Sequence, residues 1–238
     1  MEAQIAVAKI NKYASSESGD SVEVIERPNG GLSVVLADGQ SSGKGAKAIS
    51  NLVVRKVISL LSEGVRDGAA ARAASDSLFT ARGGKVSATL NIFSVDMQTS
   101  TLVVTRNNPA PVLLGHEDQI TYLNEYCQPI GLYRDTRPLI TEVPLEIGLT
   151  AVMFTDGLVH AGSRYGQALD MLSYMQAFLE EEDPSPENIA NSLLEQALQL
   201  DQGRPVDDIS VVALRVSSLQ GDSIRRMSVH LPLPPKLS

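Results

Sequence analysis

The sequence has little of what usually announces a chemistry. It holds one cysteine, Cys127, so neither a disulfide framework nor a cysteine-based zinc site can be built, and Cys127 reads as a small, partly buried hydrophobe. Only three histidines are present, His116, His160 and His230. No apolar run reaches the length of a membrane-crossing helix. The start, "MEAQIAVAKINKYASS", lacks a basic region followed by a long apolar core, so no secretory leader is visible. Positive charge is also scarce. The 20 Lys and Arg against 28 Asp and Glu leave a net charge of -8, which argues against nucleic acid or an anionic membrane as partner. No internal repeat, low-complexity tract or interdomain linker is seen. With 238 residues, 43% of them hydrophobic, the chain can bury one sizeable core or at most two small ones. The expectation is a soluble, cytoplasmic protein.

What is present is a sequence of short β-branched runs interrupted twice by helical periodicity. "QIAVAKI", "SVEVIER" and "GLSVVLAD" read as strands, with Gly30-Gly31 turning the last two into a hairpin. Ile49, Val53, Val57, Leu60 and Leu61 recur at helical spacing up to Gly64, and the alanine-rich "DGAAARAASDSLFTAR" forms a second helix closed by Gly83-Gly84. Six further strands follow without intervening helices, "KVSATLNIFSVD", "STLVVTRN", "APVLLG", "QITYL", "RPLITEVPL" and "LTAVMFTD". Such neighbours must pair antiparallel, because a parallel pair needs a crossover of a dozen or more residues. Helices over Gln167–Glu182 and Pro186–Gln199, joined through Asp183-Pro184-Ser185-Pro186, precede a last strand, "DISVVALRV". The predicted class is α+β, with antiparallel sheets covered by helix pairs. Residues 1–217 form the expected domain. Residues 218–238, with their prolines and weak periodicity, form an extension that packs loosely or not at all.

Three chemistries compete for the stretch "VVLADGQSSGKGAK", Val34 to Lys47. A phosphate-binding loop fails on spacing, since Gly39 stands one residue too close to Gly43-Lys44, and Gly45 occupies the place of a magnesium-binding hydroxyl. Gly39-Gln40-Ser41-Ser42-Gly43 does match the turn that presents a nucleophilic serine. That reading needs an acid and then a histidine on separate later loops, but His160 is too close to Asp156 and His230 lies in the tail. The antiparallel strand series also contradicts the βα alternation of such hydrolases. Ser41 then serves as a turn residue. The third reading is a metal site. Asp38 ends one apolar strand, Asp156 ends another, Asp207-Asp208 opens a third and Asp20 precedes a fourth. Strand ends brought together would gather these carboxylates into a site suited to hard cations such as Mg²⁺ or Mn²⁺.

The order Gly19-Asp20, Ala37-Asp38-Gly39-x₃-Gly43-x-Gly45, Thr155-Asp156-Gly157 and Asp207-Asp208-Ile209-Ser210 resembles the metal-dependent PPM protein phosphatases. Within them it resembles the bacterial SpoIIE and Rsb branch (RsbX- and RsbU-like), over nearly the whole span from Ser18 to Val216. The resemblance implies a four-layer α-β-β-α sandwich with a two-metal centre at one end of the paired sheets. Asp38 would bridge two Mn²⁺ or Mg²⁺ ions, with the Gly39 carbonyl reaching one of them. Asp156 and Asp207 would complete the ligands of the first, and Asp20 would orient waters on the other or help ligate it. The ions would activate water for in-line attack on phosphorus. Resemblance to the family's Asp-Asp/Asn-x-Thr/Ser motif assigns the metal to Asp207, with Asp208 beside the site, holding a loop amide or facing water. Eukaryotic relatives often carry histidine where Gln40 stands, so the leaving group's proton must have another source. No phosphate-binding arginine can be assigned: Arg27, Lys44 and Arg134 are possibilities, but each reads first as a solvated surface charge. The implied substrate is a phosphoserine or phosphothreonine protein, such as a STAS-domain anti-sigma-factor antagonist or a stress-complex component. The rival readings are a non-catalytic phosphatase-like module that binds a phosphoprotein, and the serine hydrolase built on Ser41.

Overall fold

The structure, a computed structural model, describes residues 1–181 and 184–233. The expected helix end at Glu182, the turn residue Asp183 and the last five residues of the extension lie outside the described residues. Alternating hydrophobicity makes the strands. β1 (Glu2–Ile10), β2 (Asp20–Glu26) and β3 (Leu32–Gly39) come first. In β3, Val35 and Ala37 face one way and Val34 and Leu36 the other, and all four are buried. A strand covered on both faces is the requirement for an inner layer.

Two helices cover one side. α1 (Gly43–Ser62) buries Ile49, Val53, Val57 and Leu61 as a single stripe. α2 (Asp67–Arg82) buries Ala70, Ala71 and Ala74, small side chains that let it lie close to α1, and it stops at Gly83, which takes the left-handed φ of +63°. The strand run follows as β4 (Ala88–Asp96), β5 (Thr101–Asn107), β6 (Val112–His116), β7 (Gln119–Leu123), β8 (Leu139–Pro144) and β9 (Thr150–Phe154). Then come a short helix α3 (Asp156–His160), a single 3₁₀ turn over Ser163–Tyr165, α4 (Met171–Glu180), α5 (Pro186–Leu200) and β10 (Ile209–Ser217).

The strands form two five-stranded sheets, ordered β2-β3-β4-β5-β8 and β1-β10-β9-β6-β7, with every named pair antiparallel. Three buried clusters fill three interlayer spaces. One lies between α1/α2 and the first sheet and contains Val53, Leu78, Val35 and Ile92. One lies between the sheets and contains Leu36, Phe93, Met153 and Leu214. One lies between the second sheet and the later helices and contains Phe154, Val211, Leu193 and Met175. The layers therefore run α-β-β-α.

Two elements differ from the sequence reading. The helix expected from Gln167 begins at Met171, because the Asp170 side chain caps it by accepting the Ser173 amide. After β9 the chain makes the short helix α3 instead of a plain loop, so Asp156 sits on the first turn of a helix. Cys127 is buried, and its thiol donates to the Asn108 carbonyl. Residues 218–233 form neither helix nor strand, yet the tail is pinned where the Arg225 guanidinium donates to the Gly30 carbonyl at 2.7 Å. Among the described residues, no helix is long and apolar enough to cross a membrane.

Candidate metal centre

β2 begins and β3 ends at one edge of the first sheet, and β9 ends and β10 begins at one edge of the second. The aspartates therefore meet. Asp20 stands directly opposite Asp38 in the β2–β3 ladder, where two like charges repel. Asp38, Gly39, Asp156 and Asp207 line a single open cavity of about 430 Å³, together with Lys12, Gln40, Ser41, Ser87 and Thr89. Asp20 lies behind them, fully buried.

Two glycines make the approach possible. A Cβ on Gly39 would lie 2.1 Å from the Ala46 carbonyl oxygen, so only glycine lets the end of β3 press against α1. A Cβ on Gly157 would lie 2.1 Å from the Asp208 carbonyl oxygen, so glycine lets the first turn of α3 reach the Asp207-Asp208 segment. The Asp-Gly pairs thus set each carboxylate beside a close backbone contact.

The electrostatics describe a site short of positive charge. Burial, and then the Asp20, Asp156 and Asp207 charges, push the Asp38 carboxyl up to about 9. Burial first, then Asp207, raises Asp156. Asp20 is raised by burial, although the Ser210 hydroxyl (2.6 Å), the nearby Lys9 and the Thr155 hydroxyl (3.1 Å) counteract it. Both hydroxyls donate to Asp20 Oδ2, while Oδ1 is buried with no hydrogen-bond partner. An orphaned carboxylate oxygen inside a protein is costly unless a cation or water meets it.

The donor set fits a hard divalent cation. It consists of carboxylates and one glycine backbone, and among the described residues no sulfur or imidazole joins the cavity lining. Among the described residues, no three His, Cys, Asp or Glu side chains are drawn round one point as a closed cage. An open ring of oxygens on a wet cavity suits cations that keep several waters.

Asp207 and Asp208 both precede β10, which begins at Ile209, and hydrogen bonding separates their roles. Asp207 lines the cavity. The Asp208 carboxylate turns away and clasps the β1–β2 loop at both ends, accepting the Lys12 amide at 2.8 Å and the Gly19 amide at 2.7 Å.

None of the three possible cations lines the cavity as described. Arg27 is paired with Asp67, the Arg134 guanidinium stacks 4.8 Å above the Phe79 ring, and Lys44 is exposed outside the cavity lining. The basic residue of the lining is Lys12. Its place depends on the distant Asp208, so no local motif could announce it. Lys9 and Lys47 were also missed. Both ammonium groups donate to the Asp20 carbonyl, at 2.6 and 2.7 Å. Burial, and then Lys47, hold Lys9 below its ordinary value.

The serine-hydrolase reading finds no support in this geometry. Among the described residues no histidine lines the cavity, and His116 lies across from Glu146. Ser41 is exposed, with its backbone at φ +84°. Gln40 is tied down, its Oε1 accepting the Ser87 amide at 2.8 Å.

This architecture is the fold of PP2C-type phosphatase domains. The chain superposes with a TM-score of 0.77 and 20% identity on the PP2C phosphatase domain and regulatory fragment of SpoIIE from Bacillus subtilis, covering 92% of this chain and 64% of that one. RsbX in complex with magnesium gives a TM-score of 0.70 at 19% identity, over 90% of this chain and 96% of that one. The catalytic domain of the serine/threonine phosphatase PstP with two manganese ions gives 0.70 at 17% identity, over 91% and 99%. The chain belongs to the SpoIIE family: residues 28–217 match the family model described as "Stage II sporulation protein E (SpoIIE)". The Stage II sporulation protein E of Bacillus subtilis (strain 168) is 22% identical over 200 residues. That match covers 84% of this chain but only 24% of the relative.

Proposed function

We propose that the chain is a Mn²⁺- or Mg²⁺-dependent phosphoserine/phosphothreonine protein phosphatase. The observation that carries this reading is the convergence of Asp20, Asp38, Asp156 and Asp207 from both sheets, with Asp20 and Asp38 face to face and Asp20 Oδ1 left unpartnered. Membership of the SpoIIE family, and two structural neighbours in complex with magnesium and with manganese, support the same choice.

In this reading Asp38, the Gly39 backbone, Asp156 and Asp207 would hold the cations, with Asp20 behind them as a water-orienting or ligating group. Cations held there would acidify water and offset charge on the phosphoryl oxygens. Lys12 is the group that meets the phosphoryl oxygens of the substrate, since it is the basic side chain of the cavity wall. Asp208 positions it through the loop. Gln40, locked to Ser87, forms a side wall and carries no proton to the leaving group. The natural substrate in this reading is a phosphorylated signalling regulator of the STAS-domain or stress-complex type, acted on in the cytoplasm. Neighbours that include the RsbU and RsbW domains of a Mycobacterium tuberculosis protein and a bacterial stressosome component support it.

Hydrolysis of a chromogenic aryl phosphate with and without Mn²⁺ tests the reading. Turnover that needs the metal and disappears in Asp207→Ala is expected. Metal-bound protein that leaves every phosphate ester intact would favour the binding module instead.

A further inference from the structure

A second cleft adjoins the metal cavity. It also measures about 430 Å³ and is lined by Gly45, Ala46, Ala48, Ile49, Arg82 and Val86. Gln40 and Ser41 are walls of both cavities. The cleft runs along the start of α1 to the end of α2, its floor is apolar, and among the described residues no acidic side chain lines it. Arg82 is in the lining, and Lys44 and Lys85 are the sequence neighbours of the lining residues Gly45 and Val86. In a chain of net charge -8, this local excess of positive charge is selective for an acidic partner.

We propose that this cleft is the subsite for the stretch of the substrate protein that flanks the phosphorylated residue, and that it selects an apolar side chain with a neighbouring carboxylate. The inference rests on the phosphatase reading. A phosphoryl group seated at Asp38 leads its own backbone out over Gln40 and Ser41, the shared walls, and so toward the cleft. There an apolar side chain covers Ala48, Val86 and the edge of Ile49. A carboxylate beside it meets Arg82, a bidentate donor, with Lys44 and Lys85 adding charge at the rim. Affinity comes from the apolar burial, and choice of partner from the charge.

Gly45 supplies a clean perturbation. It lies in helix α1 without a positive φ, and a Cβ there would meet nothing within 4 Å. A leucine at this position projects into the cleft without displacing the fold. Gly45→Leu and Arg82→Glu are compared with the parent chain on an aryl phosphate and on two phosphoserine peptides, one flanked by Leu and Glu, the other by Gly and Lys. Binding of labelled, non-phosphorylated versions of both peptides is measured alongside.

The parent chain is expected to prefer the Leu/Glu peptide by about tenfold in kcat/KM. Gly45→Leu should lose that preference through KM, keep aryl-phosphate turnover within about twofold and melt no lower than the parent, because leucine is the better helix former. Arg82→Glu should invert the charge preference. Equal kcat/KM for both peptides in the parent, or an unchanged preference in Gly45→Leu, overturns the subsite. Absence of Mn²⁺-dependent aryl-phosphate turnover in the parent overturns the phosphatase reading instead. In that case the binding of the two labelled peptides still decides the cleft, tighter binding of the Leu/Glu peptide supporting it and equal binding sinking it.

Discussion

Replacing Asp38 by asparagine should make the metal-free protein more stable while destroying its activity. Asp38 holds its proton up to about pH 9 in the fold, against 3.8 for an ordinary aspartate. Between those values the folded chain carries the proton and the unfolded chain does not, so stability falls as pH rises. Below 3.8 both states are protonated and the penalty vanishes. Each pH unit above 3.8 costs about 1.4 kcal/mol, which amounts to about 4 kcal/mol at pH 7. Asp20 and Asp156 share the proton traffic of the cluster, so removing one carboxyl should recover roughly 2–4 kcal/mol, or about 5–15 °C in melting temperature for a chain of this size. Asparagine keeps the shape and removes the charge. Thermal melts in chelator at pH 5, 7 and 8 measure the effect. The advantage of Asp38→Asn should grow with pH, and millimolar Mn²⁺ should erase or reverse it by stabilising only the parent. A variant no more stable than the parent at pH 8, or an advantage that does not change with pH, would refute the reasoning.

Four further outcomes follow from the same geometry. Asp208→Ala should lose about 3 kcal/mol of stability, since two loop amides lose a charged acceptor, whereas Asp207→Ala should melt like the parent or higher in chelator and lose its calorimetric Mn²⁺ affinity. Ser41→Gly should raise stability by up to about 1 kcal/mol, because Ser41 sits at φ +84°; denaturant titration reads this. Gly39→Ala should cost about 3 kcal/mol or more in the same titration, because its Cβ would meet backbone at 2.1 Å.

The layers were legible in the sequence because inner strands and covering helices each repeat a hydrophobic period. Val34 to Ala37 and Ile49 to Leu61 declare their faces without help from the rest of the chain. The aspartates at strand ends were legible for the same reason, since a strand boundary is local. What did not show was everything decided between distant segments. Asp208 reaches 196 residues back to the Lys12 amide. Lys9 and Lys47, from β1 and α1, meet at one carbonyl of β2. The start of α4 shifted because an Asp170 cap outweighed the apolar pattern before it. Arg27 read as a free cation, and only the fold brings Asp67 to it.

The most direct test of the whole account is turnover of a phosphoserine peptide by the parent, Asp38→Asn and Ser41→Ala proteins, each with Mn²⁺ and with chelator. Phosphate release is expected from the parent and from Ser41→Ala only in Mn²⁺, and from Asp38→Asn in neither condition. Release that survives chelation, or that is lost in Ser41→Ala and kept in Asp38→Asn, would contradict it.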